Sequence, residues 1–247
     1  MLIQGLTLTG TYVTDVPPLV TNGLTYYIDA GNSSSYSGTG SNIADLAGSS
    51  LGNTTIFNSP TFTSASQGSY ITTNGSTQYL LTPNLVTKFN SPSNEAYTLE
   101  AWIRTSSDNG VVITEQGNLP VNSGWHDSAM EIVAGSLRVS HWNAGVVNLL
   151  VGAVTRNVWQ QYVATYDGTT LRGYINAGTP TSITTGRQSP WESGNNLWYG
   201  IALNDSTSLG DGSYLAADFG LFRLYNRALT AAEILQNYRA TSWRYGL

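Results

Sequence analysis

The 247-residue sequence has no cysteine, which excludes a disulfide framework and any thiolate site. It has one lysine, Lys88, and only 10% charged residues, against a usual share of about 25%. With a net charge of −5 and no basic patch, no surface can release counterions from a phosphate backbone, so nucleic acid is excluded as a partner. Long apolar runs are missing too. The longest, "AGVVNLLVGAV" (144–154), is too short to span a bilayer as a helix, and no membrane insertion is expected. The opening "MLIQGLTLTG" lacks the positive and long apolar regions of a signal peptide, so synthesis in a cytoplasm without export by the usual route is expected.

Against these absences stand 40% apolar residues with 15 Tyr, 7 Trp and 5 Phe, which is no disordered composition. The exterior must be built from hydroxyls, amides and glycines. Strand and turn signals alternate along the chain. "LTYYIDA" (24–30), "AYTLEAWIRTS" (96–106) and "GVVITEQGN" (110–118) read as strands. "SAMEIVAGSLRVSHW" (128–142) reads as a hairpin turning at Ala134-Gly135, and "NVWQQYVATYDGTTLRGYINAG" (157–178) as one turning at Asp167-Gly168. "NNLWYGIAL" and "DFGLFRLYNRA" supply the last strands. One helix closes the pattern. Thr230 to Glu233 spell a capping box, Leu229 and Ile234 form its hydrophobic staple, and Ile234, Leu235 and Tyr238 make its apolar face. About a dozen short strands and one helix imply an all-β sandwich of jelly-roll type.

Residues 1–18 are set apart as an arm and linker. Leu6, Leu8 and Tyr12 alternate onto one side, and Pro17-Pro18 stiffen the chain before a domain spanning 19–247. Such an arm can add a strand to a sheet edge of a partner; equally, it can be the first strand of the domain.

Three stretches, "YTLEAWIRT" (97–105), "WQQYVATYDGTTLRGYINAG" (159–178) and "FRLYNRALTAAEILQNYRAT" (222–241), resemble the laminin-G-like, concanavalin A-like jelly-roll superfamily. The resemblance implies that Trp102 and Trp159 are core residues and that the helix packs across the end of the sandwich. "GLTYYIDAGNSSSYSGTGSNIADLAGSS" (23–50) resembles a version common in virion proteins of tailed phages. Two departures weaken any calcium site carried over: Gly220-Leu221, with Asp218 nearby, stand where the family has paired acidic residues, and Thr73-Asn74-Gly75-Ser76 where it has F-D-G-T.

The superfamily includes glycoside hydrolases, whose E-x-D-x-x-E cluster is absent here. Asp127 and Glu131 share a strand parity, but the hairpin sets Glu131 against Arg138. "GSSLG" (48–52) matches a nucleophile-elbow pattern inside a Gly/Ser loop, without the strand and helix that motif needs. His126 and His141 are expected near each other across the hairpin, with Asp127 adjacent. Asp29, Asp45 and Asp205 are the calcium candidates, although no loop has regular ligand spacing; no other cofactor is expected. Trp125, Asp127, Arg138, Trp142 and Trp191 form a candidate patch for stacking sugar rings or for a subunit interface.

Taken together, a non-enzymatic structural protein of a phage virion is expected, a capsid decoration or head-fibre protein displayed on the particle surface. Its partners would be other virion proteins, the major capsid protein foremost, with the arm residues Leu6, Leu8 and Tyr12 as anchor. The alternative is a carbohydrate-binding protein of the tail that attaches to host-surface glycans. A glycan hydrolase is the third and least supported reading.

Overall fold

In strand β7 (Tyr97–Thr105) the alternation of "YTLEAWIRT" sends Leu99, Ala101 and Ile103 into the main core and leaves Glu100, Trp102 and Arg104 on the other face. That period of two is repeated across two antiparallel sheets. A computed structural model describes residues 16–66, 68–88, 96–187, 196–205 and 212–247. The anchor residues Leu6, Leu8 and Tyr12, and Trp191 of the candidate patch, lie outside them.

The remaining strands are β1 (Leu24–Asp29), β2 (Asn42–Ile43), β3 (Thr54–Phe57), β4 (Thr61–Thr63), β5 (Tyr70–Thr72), β6 (Tyr79–Leu81), β8 (Gly110–Gln116), β9 (His126–Val133), β10 (Ser136–Trp142), β11 (Val146–Ala153), β12 (Gln160–Tyr166), β13 (Thr170–Ile175), β14 (Thr181–Thr184), β15 (Trp198–Ile201) and β16 (Ala217–Tyr225). The first sheet runs β14-β13-β12-β7-β16-β5-β4, with β1 also paired to β16. The second runs β11-β10-β9-β8-β15-β6-β3-β2. Between them lies one continuous core that includes Tyr26, Leu80, Leu99, Ile113, Met130, Val139 and Phe222. The architecture is the all-β two-sheet sandwich with one C-terminal helix that the sequence implies. Both expected hairpins form, with Ala134 and Gly135 at φ 48° and 73° in the first turn.

Helix α1 (Ala231–Thr241) begins at the expected capping box: Glu233 N–H donates to Thr230 Oγ1 at 3.3 Å, and Thr230 N–H to Glu233 Oε2 at 2.9 Å. Leu229 and Ile234 pack with Val20, Val163, Tyr174 and Tyr225 in a second, smaller core. Two details differ from the sequence reading. The helix does not plug the end of the sandwich; it lies over the outer face of the first sheet, because Glu100 and Trp102 project there and meet Asn237 and Tyr238. Its buried face is accordingly Ile234, Asn237 and Thr241, while Leu235 stays 36% exposed.

The chain after the helix completes this third layer. Trp102 is stacked between Tyr238 at 5.5 Å and Tyr245 at 4.8 Å, and Tyr245 lies 4.4 Å from Trp159. Trp102 and Trp159 are thus buried, as the resemblance implies, but beneath this layer rather than between the sheets. Gly220, at a bulge in β16, lets Tyr245 approach: a Cβ there would collide with its hydroxyl.

Candidate functional site

The groups with the most chemical potential collect at one end of the sandwich, between the sheets. Tyr199 on β15 pairs with Glu115 on β8, and Glu115 with Asp127 on β9. His141, near the end of β10, follows Leu137 and Val139 onto the same inner face. Four neighbouring strands therefore contribute one polar side chain each to a transverse row. From the opposite sheet come Tyr97, the first residue of β7, and Tyr166, the last of β12. Arg187, just past β14, enters the row with Nη2 2.6 Å from Glu115 Oε1 and its guanidinium 4.9 Å above the Tyr97 ring. Tyr199 donates to the same Glu115 oxygen at 3.2 Å, and His141 stands edge-on to Tyr166 at 5.0 Å.

All of these residues are at most 7% exposed, and Tyr166 and Tyr199 are wholly buried. Burial, then the nearby Glu115 and Asp205 charges, push the Asp127 carboxyl up to about 7, against a smaller opposing effect of the Ser128 N–H. Burial and the Arg187 charge hold His141 down at about 3, partly offset by the Gly186 backbone. Burial works against the charge on Arg187, but Glu115 and the surrounding phenols more than offset it and raise its pKa. Asp127 Oδ2 is buried without a hydrogen-bond partner, and neither ring nitrogen of His141 makes a hydrogen bond of good geometry, the Gly186 backbone being near but poorly placed. At neutral pH the row thus holds an imidazole without charge and a carboxyl that shares its proton about evenly with solvent.

This row reorders the sequence-based site. Asp127 and Glu131 do not share a face. Ile113 pairs with Met130 while Thr114 pairs with Ser128, so Ala129 is an extra residue, a β-bulge that reverses the parity between the two acids. Asp127 points inward. Glu131 points outward and accepts from Arg138 Nε at 2.9 Å, the cross-strand pair the hairpin predicts. His126 and His141 do not meet either. His126 and Ser128 lie on the opposite face of β9 from Asp127, beside Asp205, with Ser128 Oγ 2.8 Å and His126 Nε2 3.6 Å from its carboxylate.

Nor do Trp125, Asp127, Arg138 and Trp142 form one patch, since Asp127 is interior. Trp125 is half-buried before β9, its backbone N–H donating to Asn118 Oδ1 at 3.2 Å, and Trp142 ends β10 at 37% exposure. No ring contact joins the two indoles.

The calcium candidates are each engaged elsewhere. Asp29 receives Arg244 Nη1 at 2.6 Å and Nη2 at 2.7 Å; burial opposes its charge, but Arg244, Tyr27 and the Gly31 N–H hold its carboxyl below the ordinary range. Asp45 takes backbone N–H groups of Tyr27, Ala47 and Ser49 at 2.9, 2.9 and 2.6 Å. No group of three His, Cys, Asp or Glu side chains placed to hold a metal ion occurs among the described residues. Sequence reasoning missed Glu115, Arg187 and Tyr199, which come together only through pairing across 72 and 84 residues. The inward slot of "GVVITEQ" held by Glu115 was the available signal.

The architecture has known counterparts. Domain 4 of AbnA, a GH43 extracellular arabinanase from Geobacillus stearothermophilus, solved in complex with arabinotriose, is 14% identical with a TM-score of 0.56, covering 87% of this chain and 98% of that one. The binding domain of Paraclostridial Mosquitocidal Protein 1 is 15% identical with a TM-score of 0.61, over 88% of this chain and 52% of that one. Trypanosoma rangeli sialidase in complex with sialic acid is 14% identical with a TM-score of 0.60, over 90% of this chain and 33% of that one. This chain therefore spans about half the length of the second structure and a third of the third. At such identities the likeness is one of fold. No curated protein matches the sequence. The model of the concanavalin A-like lectin/glucanases superfamily matches residues 74–235, well over half of the sequence, and the chain belongs to that superfamily.

Proposed function

We propose that this chain is a non-catalytic, lectin-like domain that binds carbohydrate. The observation that carries the reading is where the fold places its charges. Eight of the nine arginines stand in ion pairs with carboxylates, and the single lysine donates to the Ser49 carbonyl at 2.9 Å. Glu115 and Asp127, the carboxylates opposed on neighbouring strands, are buried, whereas a glycosidase needs its pair astride a bound sugar. Apart from exposed ion pairs such as Arg156–Asp108, which neutralise each other, the described exterior is mainly hydroxyls, amides and isolated aromatic rings. That chemistry suits a ligand whose faces alternate C–H surface and hydroxyl groups. The complex of the similar arabinanase domain with arabinotriose lends support from fold analogy.

The setting we propose is the surface of a tailed-phage particle, with residues 1–18 as the attachment segment. It is supported by the resemblance of residues 23–50 to phage virion domains. The decisive experiment for the carbohydrate reading is affinity electrophoresis of the full chain in gels containing bacterial surface polysaccharide. Retardation without release of reducing ends is expected. Unretarded migration in every polysaccharide, or liberation of reducing ends, refutes it. If the Trp142 rim takes part, Trp142→Ala abolishes retardation with the melting temperature unchanged.

A further inference from the structure

Both sheets end at the same place. β2 is the edge strand of one and β4 of the other, and the segment 58–60 carries the chain from β3 in the second sheet to β4 in the first. Between this crossing and the loop that leads to β2 lies a groove of about 610 Å³, within the range of about 300–1,000 Å³ typical of ligand sites. Its apolar part is Tyr36 and Phe62, edge-to-face at 5.3 Å and 83°, with Ile56 and Pro60. Its polar part is Gly38 to Ser41 on one bank and Asn58 and Ser59 on the other. Among the described residues, no Asp, Glu, Lys, Arg or His lines it.

The banks are held open from outside. Asn58 and Ser59 both have left-handed backbone, φ 61° and 53°, a strained pair for residues with side chains. Gln78 Nε2 clamps their two carbonyls at 3.0 Å each, and Asn58 Nδ2 donates to the Thr77 carbonyl at 2.6 Å. Across the groove Tyr36 hydroxyl donates to the Gly40 carbonyl at 3.1 Å. Gly38, φ 90°, packs directly on Phe62, where a Cβ would come within 2.6 Å of the ring. These bonds leave the Ser59 and Ser41 hydroxyls and Asn58 Oδ1 without partners among the described residues. The result is a preorganised cleft with an aromatic floor and a rim of unengaged hydroxyl and amide groups.

We propose that this groove is the glycan subsite of the domain and that its ligand is an uncharged oligosaccharide, an inference that rests on the carbohydrate-binding reading above. A charged ligand finds no counter-charge in its lining. A purely apolar one leaves the rim groups desolvated and unpaired. A peptide strand needs a longer edge than the two residues of β2 or the three of β4 to add itself to a sheet. Sugar rings match both halves of the lining, C–H faces on Tyr36 and Phe62 and hydroxyls on the rim.

The test is a printed array of neutral gluco-, galacto-, manno- and arabino-oligosaccharides beside uronic-acid and sialylated ones, probed with the full chain and three variants. Ser59→Asp places a charge on the rim at an exposed position whose left-handed backbone Asp tolerates. Phe62→Ala removes the floor, and Trp142→Ala is the control at the other aromatic candidate. Binding to neutral probes, weakened about tenfold or more by both Ser59→Asp and Phe62→Ala but not by Trp142→Ala, is the expected result. Should Phe62→Ala melt, Ser59→Asp alone decides. Neutral-glycan binding that survives Ser59→Asp, or binding confined to acidic probes, overturns the groove while leaving the carbohydrate reading intact. No binding of the unaltered chain to any probe overturns both.

Discussion

Two buried charge clusters lie on either side of the first sheet, and they are finished to different degrees. On its outer face, Glu100 Oε1 accepts from Arg223 Nη1 at 2.8 Å and Gln161 Nε2 at 2.9 Å, and Oε2 from Asn237 Nδ2 at 2.9 Å. Arg223 continues to Thr241 at 3.1 Å and lies 4.8 Å over the Tyr27 ring, and Asn237 Oδ1 takes the Val20 N–H at 3.0 Å. Only Arg223 Nε and Gln161 Oε1 lack partners in that network. On its inner face, the Asp127–His141 row leaves a carboxyl oxygen and two ring nitrogens unpaired. A polar network in a low-dielectric interior stabilises when complete and costs free energy when partial. The outer cluster therefore welds helix to sheet, whereas the inner one is tolerated at a cost and is sensitive to pH.

Breaking the outer cluster has the largest expected effect. Arg223→Ala leaves Glu100 buried beside an empty site and should cost about 3–5 kcal/mol in denaturant unfolding at pH 7. A loss below about 1 kcal/mol would show that solvent reaches Glu100 and that the helix is not held by this pair.

The inner cluster should respond to pH. The Asp127 carboxyl is raised from 3.8 to about 7 on folding, so the folded protein keeps a proton that the unfolded chain gives up. Stability from this group is complete below pH 4 and is lost as pH rises through 7, on the order of 4 kcal/mol at pH 8. Asp127→Asn should flatten that limb and be more stable than the parent at pH 8. An unchanged pH profile would mean that Asp127 is hydrated. His141 acts in the opposite sense. Its pKa is depressed from 6.5 to about 3, so its contribution is present above pH 6.5 and is lost as pH falls through 3. His141→Phe, which keeps the ring against Tyr166 and removes two unpaired nitrogens, should gain about 1–2 kcal/mol at pH 5. A net loss there would reveal a partner for the imidazole.

Thr230→Ala sharpens the comparison from the edge. It removes the cap but not the Glu100 network, and should cost about 1 kcal/mol with glycan binding unchanged. A larger loss would place the helix start within the weld.

The contrast between the clusters also marks what was legible in the sequence. Local signals were enough for the turn at Ala134-Gly135, the Glu131–Arg138 pair and the capping box, because each is set by residues a few positions apart. The bulge at Ala129 has no such signal. It is an alanine in the mixed run "HDSAMEIV", with no glycine to mark it, and it alone decides that Asp127 faces the core. The partnership of Arg187 with Glu115 depends on which strands become neighbours. The helix was recognisable, but its seat was not: placing it required knowing that Glu100 and Trp102 face outward, which follows only once β7 is fixed at the centre of its sheet.

β16 is the last strand of the chain, yet it stands between β7 on one side and β1 and β5 on the other. During synthesis, the earlier strands of that sheet must wait for the segment around residue 225 before their edges are bridged. A ribosome-bound chain ending short of Ala217 would expose β1 and β7 as unpaired edges with apolar inner faces. Closure of this sheet is thus a late event with long loops to gather, which favours slow folding. The central position of β16 makes that closure depend on the segment 217–225, since a product lacking it leaves β1 and β7 unbridged.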